Sequence, residues 1–225
     1  MIAWENINFF IGHYIIEAKN ALQCIVENKT MALETFESLT RDFIENVKEG
    51  RKTLNTGLLK WAKEVSKIPI RTTVEKTPKV LIFGGLNLMF DHYPIEEFFL
   101  ERGIIAKVVD IVESMSLLLA ESTIRYGFEK GITSPKEQFN EELLNSLYLN
   151  EDERKEAKRA KKSRNTMKFL NSQCKIFRRI IGKSGLLFDS FIHFIDLFEE
   201  GNKYVSSNSF TETPLITGRF LYSIR

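Results

Sequence analysis

Two adjacent glycines, Gly84 and Gly85, follow the apolar run Val80-Leu81-Ile82-Phe83, and Asn87 stands two positions further on. An α/β protein builds ligand loops in this order. Glycine lets a backbone approach a ligand closely, and ligands gather beyond the carboxyl ends of the strands. Gly84, Gly85 and Asn87 are therefore the candidate cofactor-binding residues, although the glycines equally suit a turn that needs positive φ. A nicotinamide or flavin dinucleotide fits poorly. No third glycine follows Gly85 at the required place, and about nine residues separate Gly84 from a helix start at Pro94.

The other residues with chemical potential are scattered. Gly182-Lys183-Ser184 looks like the end of a phosphate loop, but Phe177 stands where that loop needs a glycine and the upstream pattern is helical, so a helix terminus is expected. His13, His92 and His193 have no companions, and His193 between Ile192 and Phe194 suits a hydrogen-bonded core residue. The acid pairs Glu96-Glu97 and Glu199-Glu200 occupy successive helix positions that point in different directions. That arrangement suits a solvated surface better than acid–base catalysis. Cys24 and Cys174 lie 150 positions apart, without the spacing of a zinc or iron–sulfur site, and read as two reduced thiols in a cytoplasm. No catalytic residue and no metal ligand emerges, and the chain is not expected to be catalytic on its own.

Charge is balanced overall, with 32 basic and 30 acidic side chains, so net charge selects no partner. Its distribution is uneven: from Arg154 to Lys183 twelve basic residues face one acid, Glu156. Such a helix can neutralise nucleic-acid phosphates or an acidic partner. It can equally be a long helix with a solvated basic face and an apolar stripe that takes in Phe169 and Phe177.

These residues must be positioned by the surrounding elements. Trp4, Ile7, Phe10, Ile11, Tyr14, Ile15, Ala18, Leu22 and Ile25 recur at spacings of three and four, which predicts one helical face. Thr30 is the expected N-cap of a second helix with Leu33, Phe36, Leu39, Phe43, Ile44 and Val47 on its apolar side. A third helix, carrying Leu54, Leu58, Leu59, Trp61, Ala62 and Val65, must stop before Ile68-Pro69. Past Pro78, Val80 to Phe83 predicts a strand buried on both faces. Pro94 to Arg102 predicts an amphipathic helix with Ile95, Phe98 and Phe99 inward, Glu96 and Glu97 outward, and Gly103 as its C-terminal cap. Ile104 to Ile111 supplies a second strand and completes a βαβ unit. Met115 to Tyr126 reads as helix. Ser134-Pro135-Lys136-Glu137 reads as the start of another, continued by Leu143, Leu144 and Leu147.

The fold class expected is α/β, with a Rossmann-like, mostly parallel sheet and large helical additions at the N-terminus and in the C-terminal half. Residues 1–76 form a helical segment and 77–225 an α/β core with a helical insertion. With 43% apolar residues the 225-residue chain can build a real core, and its apolar runs are shorter than a membrane-spanning helix needs.

The pieces also occur in a familiar order. Trp4-Glu5-Asn6-Ile7 and a helical run to about Glu45 precede Thr77-Pro78-Lys79-Val80-Leu81-Ile82-Phe83-Gly84-Gly85, and then Phe98-Phe99-Leu100-Glu101-Arg102-Gly103-Ile104. Over residues 1 to about 113 the chain resembles the 2-hydroxyacyl-CoA dehydratase-like proteins. More narrowly, it is similar to the dehydratase-like region of the CoA-substrate-specific enzyme activases. Thr213 to Arg219 looks like the short segment that in those proteins precedes a cysteine-containing strand and loop. The strand-like end Tyr222 to Arg225 suggests a domain excised from a longer protein.

That resemblance implies a scaffold or docking region in anaerobic metabolism, with ATP and an iron–sulfur cluster belonging to the wider family and no cofactor within this chain. The implied partners are other domains or subunits of a dehydratase or activase-like system, not a membrane. Gly84 matches the family's loop glycine, Gly85 stands where its glutamate would be, and Pro94 falls near its usual asparagine. The alternative is a module that binds nucleic acid or an acidic partner through residues 154–183.

Overall fold

Apolar residues at spacings of three and four do form helices in the N-terminal third. The computed structural model describes residues 2–48, 54–83, 93–108, 120, 123–140, 151–188, 193–205 and 213–223. Their packing divides into two units whose segments alternate along the chain. The first is drawn from residues 1–82, 91–109 and 172–189, the second from 83–90, 110–171 and 190–225.

In the first unit, helix α1 (Ile2–Ile25) buries Phe10, Tyr14, Ala18, Leu22 and Ile25 along one face. Its C-terminal carbonyls have no partner within the helix, and Arg71 supplies one, donating from its backbone N to Ile25 O at 2.8 Å and from Nη2 to Cys24 O at 3.2 Å. Helix α2 (Lys29–Lys48) starts two residues earlier than the sequence suggests. Asn28 is its cap, with Oδ1 accepting from Met31 N at 3.1 Å, so Thr30 lies inside the first turn. Both residue types cap well, and the side chain with an orphan N–H in reach decides between them. Phe36 and Phe43 turn inward, whereas Ile44 is exposed.

Helix α3 (Leu54–Val65) buries Leu54, Leu58, Trp61, Ala62 and Val65 in one stripe, leaves Leu59 half-buried at its edge, and ends ahead of Pro69 as expected. Phe36 and Trp61 meet edge to face at 5.5 Å, and Trp61 Nε1 donates to Thr40 Oγ1 at 3.1 Å, so the indole is buried with its polar atom satisfied. Gly57 lies within α3, and a Cβ built there would sit 3.6 Å from the Phe43 ring, an ordinary contact. Glycine weakens a helix by about 0.5–1 kcal/mol relative to alanine. Gly57→Ala is therefore expected to raise unfolding free energy by that amount in urea denaturation, and an unchanged or lower midpoint would refute the packing described here.

Strand β1 (Lys79–Ile82) is followed by helix α4 (Tyr93–Leu100) and strand β2 (Ile105–Val108). The strands pair in parallel, Lys79 with Ile105 through Ile82 with Val108. The Lys79 ammonium secures the approach to the sheet by donating to Val74 O, Glu75 O and Thr77 O at 3.0, 2.8 and 3.3 Å. Gly103, at φ 69°, ends α4 in a Schellman turn, with Ile104 N donating to Phe99 O and Gly103 N to Leu100 O.

Two expectations for this βαβ unit are corrected. Strand β1 is not buried on both faces: Lys79 is exposed, Val80 and Leu81 are half-buried, and only Ile82 is buried, while β2 is buried throughout. A continuous apolar run limits what can be covered but does not say how many neighbours cover it. In α4 the buried face is rotated from the apolar one. Glu96 is buried at 5% exposure, whereas Ile95 and Phe98 are 40% and 51% exposed. The Arg102 guanidinium stacks over the exposed Phe98 ring at 3.7 Å.

In the second unit, residues 123–129 are helical and Gly131, at φ 76°, closes them with a second Schellman turn through Ile132 N to Gly127 O. Ser134 caps α5 (Pro135–Gln138) as the sequence predicts, accepting from Glu137 N; the helix stops at Gln138, and Leu143, Leu144 and Leu147 lie outside the described residues. Helix α6 (Glu151–Ile181) gives Ala160, Met167 and Leu170 to this unit and Cys174, Phe177 and Ile181 to the first. The residues Gly182–Ser184 form a 3-10 turn that ends at Gly185, a helix terminus as expected.

Helices α7 (Phe194–Asn202) and α8 (Thr213–Ser223) complete the core around Ala120, Ile124, Phe139, Met167, Leu197, Phe198 and Leu215. Tyr222 and Ser223 belong to α8, which corrects the strand-like reading of the C-terminal run. Tyrosine and serine in a short apolar stretch carry no decisive periodicity, and packing on α7 selects the helix. The described residues thus form a mostly helical protein with a two-stranded parallel sheet.

Candidate functional site

Strand β2 carries a charge where a buried strand ordinarily carries none. Lys107, between Ala106 and Val108, is 2% exposed, and Nζ lies 2.9 Å from Glu17 Oε1 on α1. The same ammonium donates to Phe188 O at 2.9 Å and sits 5.5 Å from the centre of the Phe188 ring. Both side chains of the ion pair are almost completely shut from water. Desolvating two charges costs several kcal/mol per ion, and their attraction offsets this only with good geometry and further hydrogen bonds. Here the carboxylate, the carbonyl and the ring surround the ammonium together.

The pair lies near the carboxyl ends of the strands, since Lys107 pairs with Leu81 one residue before the last pair of the ladder. A turn earlier on α1, His13 and Tyr14 meet at 5.7 Å between rings, and the Arg178 guanidinium lies 5.4 Å from the Tyr14 ring centre. A buried lysine beside a carboxylate has the chemistry of a proton carrier or an imine former. This one is engaged on several sides, and its effect is to tie α1, β2 and the segment after α6 together. Sequence reading missed it. The available signals were a lysine inside an apolar strand and a glutamate three residues beyond Tyr14, in line with the buried face of α1.

The predicted loop residues Gly84, Gly85 and Asn87, and His92, lie outside the described residues. His193 caps α7, its Nδ1 accepting from Ile195 N at 3.3 Å. The acid pairs are not uniformly solvated. Glu96 and Glu200 are buried while Glu97 is exposed, which corrects the expectation of a surface role for both members. Adjacent helix positions do point apart, and for that reason one member of each pair can turn inward. Glu200 holds Lys203 at 2.8 Å, and Glu199 Oε2 accepts from Lys136 N at 3.1 Å, bracing α5 against α7.

Cys24 and Cys174 are both buried thiols outside any disulfide; burial pushes the Cys24 thiol above its ordinary range, against the opposing pull of Lys29 and Arg71. Among the described residues no three His, Cys, Asp or Glu side chains gather to hold a metal ion, and no helix is long and apolar enough to cross a membrane. A groove of about 360 Å³ between α2 and α3 has Phe43 and Trp61 in its wall and Asp42, Lys60 and Glu64 around it.

The basic segment is a surface in large part. Of its twelve cations ten are exposed, Arg178 is half-buried and Arg164 is buried at 1% exposure. Phe177 is fully buried as expected, but Phe169 is 45% exposed, outside the apolar stripe to which spacing assigned it. Counting round the helix explains the difference: Phe169 follows Lys162 by seven residues and so shares its side of α6, about 100° round from Leu170 and about 160° from Met167, at the edge of the buried stripe. No family model, curated protein or solved structure matches the chain.

Proposed function

We propose that the chain is a non-catalytic domain of a 2-hydroxyacyl-CoA dehydratase or activase-related protein, working in the cytoplasm. On this reading it is a scaffold and docking region for iron–sulfur electron transfer carried by another domain or subunit. The observation that carries the reading is the parallel β1–α4–β2 unit, whose first strand and helix end fall within the segments, Thr77 to Gly85 and Phe98 to Ile104, on which the resemblance rests. We read that unit as part of a Rossmann-like sheet. The Glu17–Lys107 pair supports a scaffold role, because its groups are spent on one another and on Phe188 instead of facing a substrate.

The test is anaerobic. Given ATP, a strong reductant and a 2-hydroxyacyl-CoA, the purified chain alone should leave the substrate unchanged, and after incubation with iron and sulfide it should show no cluster absorbance. Dehydration by the chain alone, or a stable cluster on it, would refute the reading.

A further inference from the structure

We infer that the exposed face of α6 between Arg154 and Phe169 binds single-stranded nucleic acid. The face lies within the second unit and stands apart from the dehydratase reading. Arg154, Lys158, Arg159 and Lys162 are exposed on it, and Glu156 is the one acid from Arg154 to Phe169. Lys158, Lys162, Asn165 and Phe169 follow one another at spacings of four, three and four, so they form a single row along the helix.

A merely solvated helix face ordinarily mixes its charges. Helix α2 of this chain does so, with Lys29, Arg41 and Lys48 among Glu34, Glu37, Asp42 and Glu45 in its sequence. In α6 the pairs Arg154 with Lys158, Lys155 with Arg159 and Lys158 with Lys162 set like charges four residues apart, which weakens a helix. A polyanion relieves that repulsion and releases its own counterions on binding.

The aromatic ring selects among polyanions. Phe169 is 45% exposed while Met167 and Leu170 beside it are 2% and 3% exposed, so the ring is not needed for the core that α6 covers. A single exposed phenylalanine is ordinary on a protein surface. At the end of a cationic row it offers a stacking platform for an unpaired base, whereas bases inside a duplex are already stacked. An acidic protein would use the cations and leave the ring idle.

Fluorescence anisotropy of the full chain with a labelled oligothymidylate about 15 nucleotides long tests the assignment. Neutralising about four phosphates predicts a slope near −3 for log affinity against log salt. Arg159→Gln with Lys162→Gln should flatten that slope by about 1.4. Phe169→Ala should weaken binding about tenfold and leave the slope unchanged. All three side chains are exposed, and circular dichroism melts of the variants will show the fold retained. The inference is overturned by absence of binding at low salt or by binding that neither variant changes. It is also overturned if Phe169→Ala is silent and polyglutamate competes as well as the oligonucleotide, the result for an acidic-protein site.

Discussion

Lys107→Met is expected to destabilise the first unit by about 3–5 kcal/mol, the cost of leaving a buried charge without its partner. The methionine keeps most of the lysine's volume, so packing accounts for little of the loss. What remains is the Glu17 carboxylate, on a side chain 3% exposed, deprived of the ammonium at 2.9 Å, and a Phe188 carbonyl deprived of its donor. The double variant Glu17→Leu with Lys107→Met should recover most of that loss, because removing both charges also removes their desolvation. Urea denaturation of the four proteins, with circular dichroism as probe, gives the coupling directly. Two single variants that each cost under about 1 kcal/mol would place the pair in water, where surface ion pairs have that worth.

Gly218→Ala should be the most damaging small substitution in the second unit. A Cβ at position 218 would overlap the Leu197 carbonyl oxygen, with the carbonyl carbon at 2.7 Å and Gly201 N at 3.2 Å. These are backbone atoms of α7, so no side chain can swing aside, and α8 must shift bodily. Overpacking of this kind costs about 1–3 kcal/mol and occasionally more, against a helix-propensity gain of at most about 1 kcal/mol. The contrast with Gly57→Ala is the point of the experiment: the same chemical change should lower stability at Gly218 and raise it at Gly57. Equal effects at the two sites would mean that α7 and α8 do not approach as closely as described.

Local chemistry was readable where one residue type solves one geometric problem. Gly103 ends α4 because the position needs φ 69°, and Ser134 caps α5 because its hydroxyl reaches Glu137 N. Helical stripes in α1 and α3 were readable because period alone defines a shared face. Which side of an element the rest of the protein covers was not readable. Helix α4 illustrates this: Ile95 and Phe98 do share a side, yet Glu96 is the residue turned inward. Phe169 and Ile44 fail for the same reason, since each lies at the margin of a stripe whose centre packing sets. The Glu17–Lys107 pair was illegible for a different reason. Its members are 90 positions apart, and each alone looks like a minor interruption of an apolar pattern.

The candidate loop Gly84, Gly85 and Asn87 remains an expectation from sequence. Strand β1 ends at Ile82, so the two glycines follow its carboxyl end in the chain, the side on which open α/β sheets take ligands.

The most direct measurement of the proposed role is anaerobic titration of the chain, immobilised for biolayer interferometry, with the cluster-bearing component of a 2-hydroxyacyl-CoA dehydratase and its activase. A saturable association that persists when the substrate is absent is the predicted result. Failure to associate with either component, in the presence or absence of ATP, would contradict the account.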